Sequence, residues 1–281
     1  MTDQAPPRPA ILSPWLWILL GASLALRVML AMHGGQDYYG DEPRYYRGTV
    51  LLNALSSGEW AWVRAVVNQP VHAGFSYVAF FVAPFHHALA SLLGYGDWSH
   101  QENIRDTLPL AAAVMGLFST LNLWLIYQLA LRSGASRSEA GLAMLFAAAA
   151  NSLFYYSRHL LPYDSSLTLA LSGLIFSISS TTRRRQFLAG SCAALSFQIY
   201  NGYWFLVPVI GLALLYSHSR WSDRFRAGCF WSLGAACATA LIILPGVIMI
   251  GREYWAQSAD FSHTVKQGLF AEGWSLPWAY L

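Results

Sequence analysis

The chain has 281 residues, of which 56% are hydrophobic and only 11% are charged, and its mean hydropathy is +0.38. A soluble domain carries about 25% charged residues, so this composition excludes an ordinary soluble enzyme and favours an integral membrane protein. The net charge of +3 comes from arginine-rich turns such as 183–185. In a membrane protein such a run is a topological signal, and it indicates no nucleic-acid partner.

Apolar segments recur along the chain, and several are near the ~20 residues that a helix needs to cross a bilayer. We therefore predict an all-α, polytopic membrane protein with about seven transmembrane helices. The first apolar segment is long and carries Arg27, which is typical of a retained anchor rather than of a cleaved signal peptide. The predicted spans are residues 11–32, 107–131, 139–156, 164–180, 187–200, 203–217 and 228–250.

Basic residues predict the orientation, because they are retained on the cytoplasmic side. With residues 1–10 as a cytoplasmic tail, arginines are in excess in the cytoplasmic loops of the membrane core 11–250, and most acids lie outside. Residues 33–106 then form a long extracytoplasmic loop with juxtamembrane helices, and 251–281 an extracytoplasmic C-terminal segment. Within the loop, the apolar stretch 72–93 contains a proline and paired histidines. We predict a juxtamembrane hairpin or re-entrant segment there, because imidazoles are costly inside a bilayer. If the stretch crosses, every later loop changes side, and the positive charges then favour the rival topology with an outside N-terminus and Asp41 in the cytoplasm.

The most informative motif is the run YYGDEPRYY at residues 38–46, just after the first span. It sets two adjacent carboxylates beside the membrane in a chain with 14 acidic residues. A carboxylate held there suits a general base acting on a lipid-borne substrate. Asp is also a favoured N-cap residue, and Asp41 or Glu42 precedes a helix that we predict at 43–57, with a stop at Gly58. A capping carboxylate is rigidly placed, so the two roles are compatible.

An acid pair followed by an aromatic-rich helix after the first span resembles the lipid-carrier-dependent glycosyltransferases of the GT-C fold. Within that fold it is similar to the protein O-mannosyltransferases and the aminoarabinose transferases. Further matching elements are NQPVH at residues 68–72, Arg105 before a long span and YYSR at residues 155–158. The resemblance covers roughly residues 12–250 and rests on the order of these elements. Val71 departs from the family, which often has a second proline there, and the chain is shorter than most members.

The resemblance implies inverting transfer of a sugar from a polyprenyl-phosphate donor to a hydroxyl of an acceptor lipid, protein or glycan outside the cytoplasm. It implies that Asp41 is the base that deprotonates the acceptor, and that Glu42 positions the acceptor or binds a divalent metal. No other cofactor is predicted, because the three cysteines fall inside predicted spans without metal spacing. The Arg-rich, Lys-poor composition favours a bacterial inner membrane, with membrane lipids as further partners.

Arg158 is the predicted cation for the leaving phosphate, because arginine binds phosphate through a planar two-donor fork. The alternative is an arginine that snorkels to lipid headgroups. Arg27 in the first span likewise either snorkels or points into the bundle. Asp164, in the same turn as Arg158, is also a natural N-cap for the next helix. The other predicted substrate-binding residues are His72, His159, Tyr163, Tyr45 and Arg44.

Two other functions remain open. A transporter or flippase would carry charged or Gly/Pro-broken positions at mid-membrane, often in repeated halves. Here the ionisable residues cluster in outer loops and no repeated half is visible, which favours an active site at the membrane surface. The third interpretation is a non-catalytic protein that binds a lipid-linked sugar or scaffolds an enzyme.

Overall fold

The computed structural model describes residues 14–36, 39, 42–68, 73–95, 106–179 and 182–256. Every regular element within these ranges is helical, as predicted. Short 3-10 helices occur at Tyr156–Arg158 and Asn201–Tyr203. The α-helices in chain order are α1 (Pro14–Met32), α2 (Arg44–Ser57), α3 (Trp60–Val67), α4 (Ala73–Leu92), α5 (Leu108–Arg132), α6 (Arg137–Ala149), α7 (Asn151–Tyr155), α8 (Tyr163–Ile178), α9 (Arg183–Ile199), α10 (Leu206–Tyr216) and α11 (Trp221–Ile250).

Four of the described helices, α1, α4, α5 and α11, are long and apolar enough to cross a membrane. A fifth candidate is the bent pair Arg137–Ala149 and Asn151–Arg158, whose two parts meet at 60°. The span predicted at 139–156 therefore corresponds to two helices that meet at a bend rather than to one straight helix. The break occurs at Ala150, whose backbone is extended rather than helical. The helices α8 and α10 are shorter apolar helices.

Two helix ends in the structure are formed by residue types that favour helix termini, a glycine after α2 and a threonine before α9. The predicted helix at 43–57 is confirmed as α2, and its stop at Gly58 is confirmed by a φ of +75°, with the glycine N–H donating to the Ala54 carbonyl. The helix α9 begins at Arg183, four residues before the predicted span at 187–200, because Thr182 caps it. The Thr182 hydroxyl accepts a hydrogen bond from the Arg185 N–H (3.4 Å), so the arginine run forms the first helical turn.

The helices α1 and α5 are antiparallel neighbours. Leu16 near the start of α1 shares a buried cluster with Tyr127 near the end of α5, and Ala31 shares another with Leu108 at the start of α5. Between these clusters, the Arg27 Nε donates to the Ser119 hydroxyl (2.9 Å). The end of α1 and the start of α5 therefore lie at one end of the helix bundle, which we call the upper end.

The helix α4 is continuous, so the predicted hairpin within 72–93 is wrong. A Cβ added to Gly74 would approach the backbone of Gln198 and Ile199, at the end of α9, to 2.8–2.9 Å, and Ile199 belongs to the upper-end cluster of Ala31. Further along α4, the His86 Nε2 lies 2.9 Å from the carbonyl and hydroxyl oxygens of Thr107, directly before α5. Both of these parts of α4 therefore contact the upper end of the bundle, where α1 ends and α5 begins.

Histidine is accommodated in α4 because His86 is completely paired within the protein. Its side chain has no exposed surface, and its Nδ1 lies 3.1 Å from the Tyr45 hydroxyl, while Nε2 reaches Thr107. A buried imidazole is costly only when its nitrogens lack partners. The local sequence does not show these partners, and for this reason it predicts a hairpin or a re-entrant segment instead of a continuous helix.

The helices α9 and α11 pack closely through two glycines. A Cβ added to Gly190 would collide with the Trp231 carbonyl, and one added to Gly234 with the Phe187 carbonyl. The Ser191 hydroxyl donates to the Gly234 carbonyl (3.1 Å) across the same contact. Small residues at such contacts let helix backbones approach each other, as they commonly do in membrane proteins.

We expect Gly234→Ala to lower the thermal unfolding midpoint of the detergent-solubilised protein, because overpacking costs about 1–3 kcal/mol. Gly228→Ala in the same helix is the matched control, since a Cβ there meets nothing within 4 Å. That control should be neutral or gain up to about 1 kcal/mol from helix propensity. Equal midpoints for the two variants would contradict the close approach of α9 and α11.

Candidate functional site

Several predicted site residues meet at the upper end of the bundle. They come from the loop between α1 and α2, from the turn that follows α7, and from the start of α8. Asp41, the predicted base, and His72 lie outside the described residues. The site is therefore built from Glu42, which follows Asp41 in the chain, and from the residues that contact it.

Glu42 joins the first loop to the turn that follows α7. Its side chain is 1% exposed. One carboxylate oxygen accepts hydrogen bonds from the His159 Nδ1 and from the Leu160 N–H (both 3.0 Å). The other accepts from the Tyr39 N–H (2.9 Å). The prediction that Glu42 caps α2 is wrong, because Pro43 occupies the N-cap position without a side-chain hydrogen bond.

Hydrogen bonding favours the ionised form of Glu42. Burial opposes ionisation, but the hydrogen bonds from His159, Tyr39 and Leu160 outweigh it, and the pKa of the Glu42 carboxyl lies below its ordinary value. Glu42 and His159 are 117 positions apart in sequence. Because protein donors engage both oxygens, Glu42 acts as an anchor between two distant segments. Among the described residues, no group of three or more His, Cys, Asp or Glu is arranged to hold a metal.

His159 lies between Glu42 and Arg158. It is 2% exposed, and the edge of its ring meets the Tyr39 ring at a centroid distance of 4.8 Å. Its Nδ1 bonds to Glu42, and its Nε2 accepts a hydrogen bond from the Arg158 Nε (3.3 Å). Both ring nitrogens are thus used inside the protein, so His159 supports the site from behind rather than lining it.

Arg158 is partly exposed and is held on several sides. Its guanidinium carbon lies 5.3 Å from the centroid of the Tyr155 ring, a favourable cation–π contact. The Gln36 side-chain amide donates to the Arg158 carbonyl (2.9 Å). A Cβ added to Gly35 would lie 2.5 Å from the Arg158 Nη2. The two terminal nitrogens form no hydrogen bond with the described residues, so they remain able to bind a ligand.

A tyrosine-lined cavity of about 290 Å³ opens beside this turn. Tyr156 and Tyr163 meet edge to face with ring centroids 5.3 Å apart. Tyr163 also meets Tyr200 at 4.7 Å, and Tyr200 meets Tyr203 at 5.0 Å. Of these four, only Tyr163 was predicted from the sequence. The signal for the others was the enrichment of tyrosine at helix ends near a membrane surface.

Asp164 contributes a carboxylate to the wall of the same cavity. It is 8% exposed, and its carboxylate accepts a hydrogen bond from the Asn122 side-chain amide (3.2 Å). The prediction that Asp164 caps the next helix is wrong, because Pro162 occupies the N-cap position and α8 begins before Asp164. The carboxylate instead faces Asn122 of α5, which fixes its position beside the cavity.

Arg27 points into the bundle, and the snorkelling alternative is excluded by its 1% exposure. Besides its bond to Ser119, its Nη1 donates to the Ser23 carbonyl (3.3 Å). It lies close enough to Asp164 for an electrostatic attraction, and its Nη2 has no hydrogen-bonding partner among the described residues. Arg27 therefore supplies positive charge behind the cavity wall.

Two other predicted residues lie away from the cavity. Tyr45 has no exposed surface, and its hydroxyl is paired with His86. Arg44 is half-buried in the first turn of α2. Neither lines the tyrosine-lined cavity.

The chain matches no protein-family model, no curated protein and no solved structure. The chemistry of the site therefore carries the functional argument. The described residues offer a partly exposed guanidinium with two unused donors, an aromatic cavity with a buried carboxylate, and an anchored loop next to a second acid in the sequence.

We expect Glu42→Gln to lower the stability of the folded protein at neutral pH by about 1.5–3 kcal/mol, the usual value of hydrogen bonds to a charged group. The pKa of Glu42 is depressed by folding, so its stabilisation is complete above the ordinary glutamate pKa and is lost as pH falls through the folded-state pKa. Thermal midpoints between pH 3 and 7 measure this. The loss on acidification should be smaller in Glu42→Gln than in the wild type.

The matched control is Glu59→Gln, because Glu59 is exposed and its side chain caps no helix. Its pH profile should follow that of the wild type. If Glu42→Gln and Glu59→Gln gave the same profile, the anchoring role of Glu42 would be wrong.

Proposed function

We propose that this protein is a membrane glycosyltransferase that moves a sugar, with inversion, from a polyprenyl-phosphate donor to an acceptor hydroxyl. One observation carries the proposal: the acid-bearing first loop is anchored to the Arg158 turn, next to the tyrosine-lined cavity, by Glu42. A base, a phosphate-binding cation and a sugar-sized recess are the parts that this reaction requires.

Arg158 is the proposed partner of the donor phosphate. Cleavage of the bond between the anomeric carbon and the phosphate oxygen leaves the electron pair on the phosphate, whose charge grows in the transition state. The two terminal nitrogens of Arg158, which the described residues leave unused, form a fork that suits two phosphate oxygens.

The tyrosine-lined cavity is the proposed sugar subsite. Ligand pockets are mainly aromatic and apolar, with a few polar groups that fix the orientation of the ligand. Here the rings of Tyr156, Tyr163 and Tyr200 supply flat faces for the sugar ring. The Asp164 carboxylate, held by Asn122, would accept hydrogen bonds from sugar hydroxyls.

Asp41 is the proposed base. The acceptor oxygen forms the new bond to the anomeric carbon and passes its proton to a carboxylate as it does so. Glu42 is poorly suited to this step, because three protein hydrogen bonds occupy its oxygens and lower its pKa. The neighbouring Asp41 therefore takes the role, while Glu42 holds the loop.

The proposal includes a topology of about seven spans, in which α4 does not cross the membrane and α8, α9 and α10 cross as short helices that other helices flank. The end opposite the site carries cationic turns: Arg132 donates to the Ser179 hydroxyl (2.9 Å) and Arg185 to the Ser179 carbonyl (2.7 Å). Arginine-rich turns favour the cytoplasmic side. The upper end would then face the periplasm or the cell exterior, where a bacterial inner-membrane enzyme meets its lipid-linked donor and a lipid, protein or glycan acceptor.

A transporter is the second candidate, and a specific observation favours it. The bend at Ala150 breaks a candidate span, and two ionisable side chains, Arg27 and Asp164, are buried nearby. Broken helices and buried charges are typical of substrate sites in transporters. Flux of lipid-linked sugar across proteoliposomes that persists in Asp41→Asn, without any sugar transfer by the wild type, would favour the transporter.

We expect Asp41→Asn to reduce sugar transfer at least about 100-fold while the protein still folds, because general-base catalysis contributes 10²–10⁴-fold. The assay follows radiolabelled sugar from a panel of polyprenyl-phosphate sugars into acceptors of the native membrane. Asp106→Asn is the control, because Asp106 is an exposed acid at the same end of the bundle. Full activity of Asp41→Asn would remove Asp41 as the base.

We expect Arg158→Ala to raise the KM for the donor by about 10- to 100-fold, which corresponds to about 1.4–2.8 kcal/mol of lost phosphate binding. Arg158→Lys should recover only part of this loss, because lysine keeps the charge without the planar fork. Arg64→Ala, which removes an exposed arginine of α3, should leave the KM unchanged. An unchanged KM in Arg158→Ala would move the phosphate site elsewhere.

A further inference from the structure

We infer that Glu42, His159 and Gly35 form a cradle that presets Arg158 as an end-on fork, so that only its two terminal nitrogens bind the donor phosphate. These three are positioning residues and do not themselves touch the substrate. The inference rests on the proposed function for the identity of the ligand. It rests on the contacts of the described residues for the geometry of the guanidinium.

The first part of the cradle is the protonation state of His159. Both Glu42 oxygens accept backbone N–H hydrogen bonds, and the pKa of this carboxyl lies below its ordinary value, so we assign the proton of the 3.0 Å hydrogen bond to the His159 Nδ1. In the neutral ring, Nε2 then has a lone pair, and it accepts from the Arg158 Nε (3.3 Å). The opposite tautomer would set N–H against N–H at Arg158, so the two bonds together select one form of the imidazole.

The second part of the cradle is the hydrogen bond that the Arg158 Nε donates to His159. A guanidinium can bind an oxyanion end-on, through its two terminal nitrogens, or side-on, through Nε and one terminal nitrogen. The bond to His159 occupies Nε and removes the side-on choice. The Arg158 Cζ lies over the Tyr155 ring, 5.3 Å from its centroid, and the two terminal nitrogens remain for an end-on ligand.

The third part is Gly35. Its φ of +89° lies in the left-handed region, which side chains other than glycine rarely adopt. A Cβ there would also lie 2.5 Å from the Arg158 Nη2 and would push the guanidinium away. The next residue, Gln36, bonds to the carbonyls of Arg158 (2.9 Å) and Ala31 (2.8 Å). These bonds fasten the backbone of the turn to the end of α1.

The cradle links the two halves of the proposed reaction. Glu42 follows Asp41 directly in the chain, and through His159 it also orients Arg158. One set of hydrogen bonds therefore connects the acid-bearing loop to the residue that binds the donor phosphate. Substitution of His159 should weaken donor binding more than it affects other steps.

A double-mutant cycle with kinetics tests the cradle. We expect His159→Phe, which keeps a ring but removes both hydrogen bonds, to raise the donor KM about tenfold with little change in kcat, since one such bond is worth about 1.4 kcal/mol. In an Arg158→Ala background the same change should raise the KM by less than about twofold, because residues that act as one unit are not additive. His159→Gln, which retains a donor and an acceptor, should recover part of the loss.

Gly35→Ala should likewise raise the donor KM in the wild-type protein and change it little in an Arg158→Ala background. Gly34→Ala is the control for this variant. Gly34 has a similar φ of +80° but meets nothing within 4 Å, so the backbone strain is shared and the contact with Arg158 is not. A general structural role predicts instead that the effects of His159→Phe and Arg158→Ala add. Additive effects, or equal KM values for Gly35→Ala and Gly34→Ala, would overturn the cradle. An Arg158→Ala variant with wild-type KM would overturn the proposed donor site instead.

A second measurement needs no activity. Nitrogen NMR of the full-length protein, labelled with ¹⁵N-histidine in nanodiscs, reports the tautomer of each ring, and His159→Gln assigns the signal. We expect His159 to be protonated at Nδ1, and its Nε2 resonance to move in Arg158→Ala but not in Arg64→Ala. Protonation at Nε2, or a resonance that Arg158→Ala leaves unmoved, would overturn the cradle. If the shift occurs and no sugar transfer is found, the cradle stands and the proposed function fails.

Discussion

The buried carboxylate of Glu42 is the constraint on which the upper end of this molecule depends. An ionised carboxylate is expensive to bury unless every lone pair finds a donor. Its donors are the Tyr39 N–H in its own loop, and the His159 ring and Leu160 N–H more than 100 residues later. The loop and the turn cannot separate without breaking two of the three hydrogen bonds to this carboxylate. The positions of the two segments are therefore fixed together.

The same rule accounts for the polar residues buried elsewhere in the bundle. His86 is satisfied by Tyr45 and Thr107, and Asn122 holds Asp164. In hydrocarbon, no water would replace a missing partner, so each polar side chain restricts which helices can lie side by side. Hydrophobic packing alone would allow many arrangements of such apolar helices. The polar pairs select one of these arrangements. Two such pairs, Glu42–His159 and Asn122–Asp164, lie beside the cavity.

Much of the helical pattern could be predicted because it depends on local sequence. The length of an apolar run predicts a span, and a glycine able to adopt positive φ predicts the stop at Gly58. The errors share a different cause. Capping by Glu42 and Asp164 was a sound local expectation, but partners distant in sequence, His159 and Asn122, bind both carboxylates instead. The hairpin at 72–93 failed for the same reason, because His86 finds its partners in other helices. The tyrosines of the cavity were missed because only the fold brings their helix ends together.

The two adjacent acids in the first loop differ in how well they suit the proposed role of general base, and the surroundings of Glu42 are the reason. A general base needs a free lone pair and a pKa not far below the working pH. Glu42 is the weaker candidate, because three hydrogen bonds already engage its two oxygens and the pKa of its carboxyl lies below the ordinary value. The features that weaken Glu42 as a base make it effective as an anchor, since the free energy that its hydrogen bonds contribute goes into holding the loop. The hydrogen bonds of Glu42 therefore give it the role of holding the loop, and the role of base is the one proposed for Asp41.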